Sequence, residues 1–200
     1  MSEDAPAVNH HAEHPGFAGP TGAVFGLLFL LTGKRNAQVA VRAARVEAGD
    51  HVVDIGCGPG TAARRAARCG ARVSGIDPSS VMLRLARAAT RGRAGIVWAQ
   101  GCAEALPVPD GAATVVWALS TVHHWHDVTR GLAEAVRVLA HGGRLLAVER
   151  VSPPGATGVA GHGWTTAQAE AFADHCRAAG LIEVTVREQD SRWTVLARRP

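Results

Sequence analysis

The chain reads His51-Val52-Val53-Asp54-Ile55-Gly56-Cys57-Gly58-Pro59-Gly60-Thr61 at the point that decides its fold. The apolar, mostly β-branched run around Val52 predicts a strand that is buried on both faces. Three glycines follow at alternate positions, and residues 62–68 are strong helix formers. The order of strand, glycine turn and helix predicts an open α/β sheet. In such a sheet, ligands bind beyond the carboxyl ends of the strands.

The spacing of the glycines separates two kinds of nucleotide site. A dinucleotide fingerprint reads G-x-G-x-x-G, whereas this chain reads D-x-G-x-G-x-G and has Thr61 where the last glycine of that fingerprint belongs. A lone G-x-G is also compatible with an ordinary tight turn. With Asp54 in front of it and a helix behind it, the stretch resembles motif I of the class I S-adenosylmethionine (SAM) methyltransferases. The resemblance implies a doubly wound, seven-stranded α/β sheet with six parallel strands and an antiparallel last strand.

Composition limits the choice of function. The chain has 200 residues and a net charge of +4, and Lys34 is its only lysine. The arginines are dispersed, and no basic block is interleaved with aromatic residues, so we expect no nucleic-acid partner. The four cysteines are far apart, which indicates reduced thiols in the cytoplasm rather than a disulfide framework or a zinc site.

The amino-terminal part of the sequence predicts neither secretion nor a membrane span. Glu3 and Asp4 stand where a signal peptide has positive charge. The apolar stretch 23–31 is too short to cross a bilayer. We therefore expect a cytoplasmic protein without an integral membrane span, as a monomer or a homodimer.

Three regions are expected along the chain. Residues 1–20 read as a flexible arm, whose His10, His11 and His14 are expected to be solvated rather than bound to a metal. Residues 21–46 read as cap helices with a hinge near Gly33. These helices either cover a cofactor and an acceptor or simply pack on the domain, and contact with a membrane surface or a second subunit is a third interpretation. Residues 47–200 form the main domain.

Asp77 ends the second predicted strand, residues 72–76, about twenty residues after the glycine turn, where α/β folds place a carboxylate that holds a ribose. The same residue is also a candidate helix cap, because Pro78 follows at the first helical position. The two roles are compatible.

The remaining elements follow from hydrophobic periodicity. Strands are expected at 96–100, 113–120, 144–149, 181–188 and 192–197, and helices at 81–89, 128–139 and 165–179. Gly142 and Gly143 are expected to end the second of these helices.

Further segments resemble the same methyltransferase family and imply the cofactor contacts. These segments read GIDPSSVMLRLAR at 75–87, GCAEALPVPDG at 101–111 and RVLAHGGRLLAVE at 137–149. The resemblance implies that SAM is held by Asp54, Gly56, Cys57, Gly58, Gly60, Asp77, Pro78, Met82, Cys102, Ala103 and Ser120. The glycines would hold the methionine end, Asp77 the ribose, Cys102 and Ala103 the adenine, and Ser120 the methionyl group. Met82 reads either as an adenine contact or as a core residue.

Two positions depart from the family pattern. Cys102 stands where the family usually has an aspartate that bonds the adenine amino group, and cysteine is a poor acceptor, so a lower affinity for SAM is expected. Ala113-Thr114 replace the usual Phe-Asp, a difference expected to be structural.

The segment Thr121-Val122-His123-His124-Trp125-His126-Asp127 is expected to meet the acceptor. His123 or His124 is a candidate general base or polar anchor, because the pKa of histidine suits proton transfer near neutrality. Alternatively the histidines are structural, or His124 and His126 bind a metal with a third histidine. Trp125 fits either an aromatic wall or a packing role. His162 and Trp164 either line the acceptor site or belong to an ordinary loop.

The implied function is methyl transfer from SAM to a small-molecule acceptor, with S-adenosylhomocysteine as product and no metal. Within the family, the chain most resembles the small-molecule methyltransferases that are similar to those of ubiquinone and menaquinone biosynthesis. The proposed chemistry is in-line displacement, which depends mainly on proximity. The alternative is a SAM-binding module with little turnover, because of Cys102 and because the loop 151–164 lacks the helices that larger relatives insert there. Thr61 disfavours a nicotinamide-dependent oxidoreductase.

Overall fold

A single sheet organises the computed structural model of the chain, which describes residues 7–12, 33–91 and 95–200. The sheet has seven strands in the order β3-β2-β1-β4-β5-β7-β6. They are β1 (His51–Ile55), β2 (Arg72–Asp77), β3 (Ile96–Gln100), β4 (Ala113–Leu119), β5 (Leu139–Arg150), β6 (Ile182–Gln189) and β7 (Arg192–Arg198). Strand β7 runs antiparallel to both of its neighbours, and the other strands are mutually parallel. The predicted doubly wound sheet with an antiparallel last strand is confirmed.

Helices cover both faces of the sheet, and most connections between its parallel strands contain one. The described α-helices are α1 (Lys34–Ala43), α2 (Thr61–Arg68), α3 (Ser80–Ala89), α4 (Val128–Val138) and α5 (Thr166–Ala178). Short 3-10 turns lie at Val122–His124 and Gly158–Gly161. Because β1 to β5 run parallel to one another, their carboxyl ends meet at one edge of the sheet.

Strand β1 shows how the core forms on both faces. Its side chains alternate, so Val53 and Ile55 pack in one cluster with residues of α4 and α5. Val52 packs in a second cluster with residues of α1 and α2. A strand that is buried on both faces reads as a continuous apolar run, which is why the sequence located it.

Two local predictions differ from the structure. Helix α4 ends at Val138, where Leu139 takes an extended conformation and β5 begins; Gly142 and Gly143 lie within β5 and do not end the helix. The cap of α3 is Ser79, whose side chain accepts from the backbone N–H of Met82, rather than Asp77.

The predicted flexible arm, residues 1–20, contains a packed segment at 7–12. Val8 is buried, and its carbonyl oxygen accepts a hydrogen bond from Trp164 Nε1 at 2.9 Å. The amide of His11 donates to the carbonyl of His123 at 2.9 Å. The first of the two predicted cap helices, residues 24–31, lies outside the described residues. Within the described ranges, no helix has the length and apolar character needed to cross a membrane.

Candidate functional site

The glycine turn at the end of β1 has a backbone conformation that residues with a side chain rarely adopt. Gly56, Gly58 and Gly60 have φ angles of +66°, +53° and +77°, which lie in the left-handed region that favours glycine. The amide of Cys57 donates to the carbonyl of Ile76 at 3.0 Å. The turn therefore crosses the end of β2 before it enters α2.

Asp77 fastens this turn to the tip of β2. Its Oδ2 accepts from the amide of Gly58 at 2.7 Å, and its Oδ1 accepts from the amide of Ser79 at 2.9 Å. Burial raises the pKa of the Asp77 carboxyl, and these two amides partly offset the increase. A ribose held by Asp77 would therefore bind the same carboxylate oxygens that accept these two backbone amides.

The three glycines differ in the space around them. A Cβ on Gly58 would meet nothing within 4 Å, whereas a Cβ on Gly56 would lie 2.2 Å from Thr121 Oγ1. A Cβ on Gly60 would lie 2.3 Å from the ring of Trp98. Gly58 is thus the point where the turn offers bare backbone to open space.

Asp54 is buried beneath the turn. Its Oδ2 has no hydrogen-bond partner within the described part of the chain. Burial raises the pKa of this carboxyl to about 7; Asp77 raises it further, and Trp117 and the backbone of Ala63 lower it. An acid at this position changes its charge near neutral pH.

Four of the predicted cofactor contacts follow β2 or β3 along the chain. Pro78 is exposed and Cys102 half-buried, whereas Met82 and Ala103 are buried. Ala103 belongs to the core cluster on the Ile55 face, so it also has a packing role. Cys57 is buried within the glycine turn, and burial raises the pKa of its thiol.

Ser120 lies at the carboxyl end of β4 with a left-handed φ of +54°. Its hydroxyl accepts from the side-chain amide of Asn36 at 2.9 Å, and the Asn36 carbonyl oxygen accepts from Arg192 Nε at 2.7 Å. Helix α1 therefore reaches the predicted methionyl end of the site through Asn36.

His123 forms a buried pair with Glu149 at the end of β5. Its Nδ1 lies 2.9 Å from Glu149 Oε2, and Glu149 Oε1 accepts from the amide of Val122 at 3.1 Å. His123 and Glu149 are both buried. One carboxylate thus holds both the 3-10 turn and the imidazole that the turn carries.

Other histidines surround this pair. The ring of His123 lies 4.2 Å from that of His124, 5.8 Å from those of His10 and His11, and 5.9 Å from that of His162, between centroids. We call His10, His11, His123, His124 and His162 the histidine cluster. The prediction that the amino-terminal histidines are solvated is wrong for His11, which is half-buried.

The neighbours of His123 are weak bases. Burial lowers the pKa of His124 to about 3, and repulsion from His123 adds to this effect. Burial also lowers the pKa of His162 to about 4, with contributions from the neighbouring histidines and Arg150. Both imidazoles are therefore neutral at pH 7.

Two predicted wall residues have packing roles. Trp164 is fully buried against Phe172, with ring centroids 5.0 Å apart. Trp125 is buried over Gly131, where a Cβ would lie 2.5 Å from its ring. Asp127 caps α4, since its side chain accepts from the backbone N–H of Arg130, as the sequence predicts.

The metal interpretation of the histidines finds no support in the geometry. Among residues 7–12, 33–91 and 95–200, no group of three or more histidine, cysteine, aspartate or glutamate side chains is arranged to hold a metal ion.

Sequence reasoning missed Glu149 and Asn36. A signal existed for Glu149, because it is an acid at the carboxyl end of a buried parallel strand, as are Asp54 and Asp77. No local pattern indicated Asn36, whose partners are 84 and 156 residues away along the chain.

The residues present fit a SAM-like cofactor. The open space at Gly58 admits a ligand against bare backbone. The Asp54 oxygen that has no hydrogen-bond partner among the described residues suits the cationic methionine end. Asp77 stands at the tip of β2, where a ribose is held in this architecture.

Comparison with known proteins agrees with this fit. A sequence model of the family "Methyltransferase domain" matches residues 53–147. A ubiquinone/menaquinone biosynthesis C-methyltransferase of Rubrivivax gelatinosus is 35% identical over 113 residues, which cover 56% of this chain and 44% of the relative. A 27-O-demethylrifamycin SV methyltransferase of Amycolatopsis mediterranei is 39% identical over 106 residues, which cover 50% of this chain and 38% of the relative. The match thus spans less than half the length of each of these relatives.

A solved structure extends the likeness beyond the matched segment. A SAM-dependent methyltransferase of Aquifex aeolicus superposes with a TM-score of 0.77 over 89% of this chain and 98% of that chain, at 15% identity. At this identity the likeness shows the fold alone. The sheet order, the glycine turn and Asp77 agree with these matches, so residues 53–147 are similar to the methyltransferase domain of the SAM-dependent methyltransferases, whose cofactor is SAM.

Proposed function

We propose that the protein transfers the methyl group of SAM to a small-molecule acceptor. The observation that carries this proposal is the contact between the two halves of the site. Thr121, which directly precedes the 3-10 turn of His123, packs on Gly56 of the cofactor turn. A methyl group delivered at the glycine turn therefore lies beside the histidine cluster.

Each part of the site has a separate task in this mechanism. Bound SAM supplies a methyl group that is already activated by a positive sulfur. The glycine turn and Asp77 hold the cofactor, and the amides at the start of α2 favour its carboxylate. The residues around His123 hold the acceptor in line and keep water away, which is how proximity accelerates the displacement.

His123 is the better candidate base of the two predicted histidines. The pKa of His124 is lowered to about 3, so its imidazole binds a proton too weakly to remove one from an acceptor near neutral pH. His123 has a carboxylate at its Nδ1, which stabilises positive charge on the ring. In this proposal, His124 lines the acceptor site without taking the proton.

A SAM-binding module with little turnover is the second candidate function. Cys102 favours it, because a half-buried thiol replaces a carboxylate in the adenine region and makes a weaker hydrogen bond. The two functions differ in whether S-adenosylhomocysteine is formed. A module binds SAM and S-adenosylhomocysteine without converting one to the other.

Calorimetry with S-adenosylhomocysteine and a product assay distinguish these functions. The assay measures S-adenosylhomocysteine formed from SAM in the presence of a small-molecule extract. Binding together with product supports the methyltransferase. Binding without product supports the module, and folded protein that binds neither compound at millimolar concentration excludes both.

A further inference from the structure

We propose that Asp54 releases a proton when the cofactor binds, and that Trp117 is a positioning residue that stabilises the resulting carboxylate. Asp54 is protonated in the unbound protein and ionised when the cationic amino group of SAM or S-adenosylhomocysteine lies beside it. This inference rests on the proposed function, because it takes SAM as the ligand of the glycine turn. It deepens that function by giving the cofactor site a defined dependence on pH.

Asp54 and Trp117 are neighbours on adjacent strands. Asp54 of β1 is paired with Trp117 of β4 in the parallel register of the two strands, and paired residues point to the same face of a sheet. Trp117 packs in the core cluster that includes residues of α1 and α2. Asp54 is 1% exposed, and Trp117 is fully buried. The two side chains therefore lie together in the interior, at the end of β1 that leads into the glycine turn.

Each member of this pair has a polar atom whose hydrogen bonding is incomplete. Among the described residues, neither Asp54 Oδ2 nor Trp117 Nε1 has a hydrogen-bond partner, although the indole N–H lowers the pKa of the neighbouring carboxyl. Buried polar atoms almost always have a partner. Two incomplete atoms that act on each other therefore indicate a site that a ligand completes. A carboxylate that binds an ammonium group and accepts from the indole would satisfy both atoms.

Two carboxyl groups lie near the glycine turn, and their surroundings assign the proton to Asp54. Asp77 accepts from the amides of Gly58 at 2.7 Å and Ser79 at 2.9 Å, and such donors favour the ionised form. Asp54 is buried with one oxygen that has no partner in the described part of the chain, so ionisation is unfavourable there. The negative charge of Asp77 makes it more unfavourable. Asp54 is therefore the carboxyl that stays neutral until a cation binds.

The titratable groups that face Asp54 from neighbouring elements are acids. The groups that act on it or respond to its charge are Asp77 from β2, Cys57 from the glycine turn, the indole of Trp117 from β4 and the backbone of Ala63 from α2. Arg87 of α3 acts on the Cys57 thiol. The ion pairs formed by the described residues do not include Asp54. In this arrangement, the positive charge that balances an ionised Asp54 comes from the ligand.

The direction of the pH dependence follows from the form of Asp54 that binds the cation. Its pKa is raised from 3.8 to about 7, so about half of the unbound protein is protonated at pH 7. The cationic amino group binds the ionised form, and the proton of Asp54 passes to the solvent. Affinity is therefore greatest above pH 8 and falls as the pH drops through 7. Because the apparent affinity follows the ionised fraction, we expect the dissociation constant of S-adenosylhomocysteine to rise roughly tenfold from pH 8 to pH 6.

Calorimetry in two buffers of different ionisation enthalpy counts the protons that binding releases. The wild-type protein should release about half a proton per S-adenosylhomocysteine at pH 7 and nearly one at pH 6. Asp54→Asn has no proton to release at this position. Its proton count should be close to zero, and its affinity should not fall between pH 8 and pH 6. Wild-type binding without proton release at pH 6 overturns the proposal, and so does a release that is undiminished in Asp54→Asn.

Trp117→Phe tests the positioning role. Without the indole N–H, the carboxylate of Asp54 loses a donor, so the midpoint of the pH dependence should move up by roughly one pH unit. The dissociation constant of S-adenosylhomocysteine should then be about fivefold above that of the wild type at pH 7 and within about twofold of it at pH 9. Binding that is weakened equally at both pH values indicates a merely structural role and contradicts the assignment of Trp117.

Trp125→Phe is the matched control, because Trp125 Nε1 is also buried without a partner among the described residues. Its ring belongs to the core cluster on the opposite face of the sheet. This variant should leave the midpoint of the pH dependence unchanged. An equal shift of the midpoint in both tryptophan variants contradicts the assignment of Trp117.

Infrared difference spectra of the wild-type protein keep the proposal testable if Asp54→Asn or Trp117→Phe does not fold. In protein with isotope-labelled aspartate at pH 6, we expect the carbonyl band of a protonated aspartic acid. The band should disappear when S-adenosylhomocysteine binds, because Asp54 is then ionised. A band that persists in the complex overturns the proposal.

The same titrations separate a failure of this inference from a failure of the proposed function. Absence of S-adenosylhomocysteine binding at every pH from 6 to 9 contradicts SAM as the ligand, and with it the proposed function. Binding whose affinity and proton count do not depend on Asp54 contradicts this inference alone.

Discussion

Gly58 and Gly111 have nearly the same backbone conformation but different surroundings, with φ angles of +53° and +62° and nothing within 4 Å of a Cβ built on either. An alanine at either position strains the backbone by about 1–2 kcal/mol. Only Gly58 belongs to the cofactor turn. We expect Gly58→Ala and Gly111→Ala to lower the free energy of unfolding alike. We expect only Gly58→Ala to weaken S-adenosylhomocysteine binding, by at least tenfold.

Urea unfolding and calorimetry on the same two variants provide the comparison. Because Gly111 controls for the strain of a left-handed alanine, any difference in affinity is caused by the methyl group that enters the open space at Gly58. Equal affinities in the two variants would show that the cofactor does not contact this part of the turn.

Asp77→Asn is a second prediction at the level of the residue. Both carboxylate oxygens of Asp77 accept a backbone N–H, from Gly58 and from Ser79. Asparagine offers one oxygen, and its NH2 group faces the other donor. A ribose would lose a charged acceptor, and a hydrogen bond to a charged group contributes about 1.5–3 kcal/mol, so we expect the dissociation constant of S-adenosylhomocysteine to rise roughly 10- to 150-fold.

Asp174→Asn is the control for this substitution, since Asp174 is exposed on α5 and pairs only with Arg177 among the described contacts. Its calorimetric affinity should equal that of the wild type. An unchanged affinity in Asp77→Asn would mean that neither the turn geometry nor the ribose depends on this carboxylate.

At the level of the element, the packed segment 7–12 depends on a few contacts with residues far along the chain. Val8 is buried, and its carbonyl accepts a hydrogen bond from the Trp164 side chain. The amide of His11 donates to the carbonyl of His123. A charge at position 8 would be buried at high cost. We expect Val8→Asp to detach the segment and to remove hydrogen-exchange protection from the His11 amide, while the amides of β4 remain protected.

Val97→Asp is the matched control, because Val97 is 66% exposed on the edge strand β3. It introduces the same charge without burial and should leave the His11 amide protected. If Val8→Asp kept that protection, the contact of Val8 with Trp164 would not hold the segment in place.

The same elements explain how much could be predicted from sequence. Strands β1 to β4 and the closing hairpin were predicted within one or two residues, because buried parallel strands read as apolar runs and turns carry their own signals. The glycine turn and Asp77 were predicted because their spacing is local. The end of α4 was not predicted correctly. The chain becomes extended at Leu139, before it reaches the glycines that were expected to end the helix.

Contacts between distant parts of the chain explain what the sequence analysis missed. The segment 7–12, the support of His123 by Glu149 and the link from Asn36 to Ser120 all join residues that no local pattern relates. Val8 and Trp164 are 156 residues apart. The two tryptophans considered as walls of the acceptor site contribute to the core instead, because an aromatic residue near a site gives no signal of the direction in which it points.

For the whole molecule, His124, His162 and Asp54 have opposite pKa shifts that contribute to the dependence of stability on pH. The pKa of His124 is about 3 and that of His162 about 4 in the folded protein, against 6.5 in an unfolded chain. Between pH 6.5 and 4 the unfolded state binds more protons at these two positions, so their effect destabilises the fold as pH falls. Asp54 acts in the opposite direction. Its pKa is about 7 in the fold against 3.8, so the folded state holds the extra proton over this window.

Variants separate these opposing contributions. We expect the free energy of unfolding of the wild type to fall from pH 6.5 to pH 4.5. The decrease should be smaller in the double variant His124→Gln, His162→Gln, and solvent screening around the half-buried His162 reduces its share. The decrease should be steeper in Asp54→Asn, because the opposing proton is lost, and a difference of one proton corresponds to at most roughly 1.4 kcal/mol per pH unit. Urea titrations across this window measure all three slopes. Equal slopes would show that His124, His162 and Asp54 carry the same protonation in the folded and unfolded states.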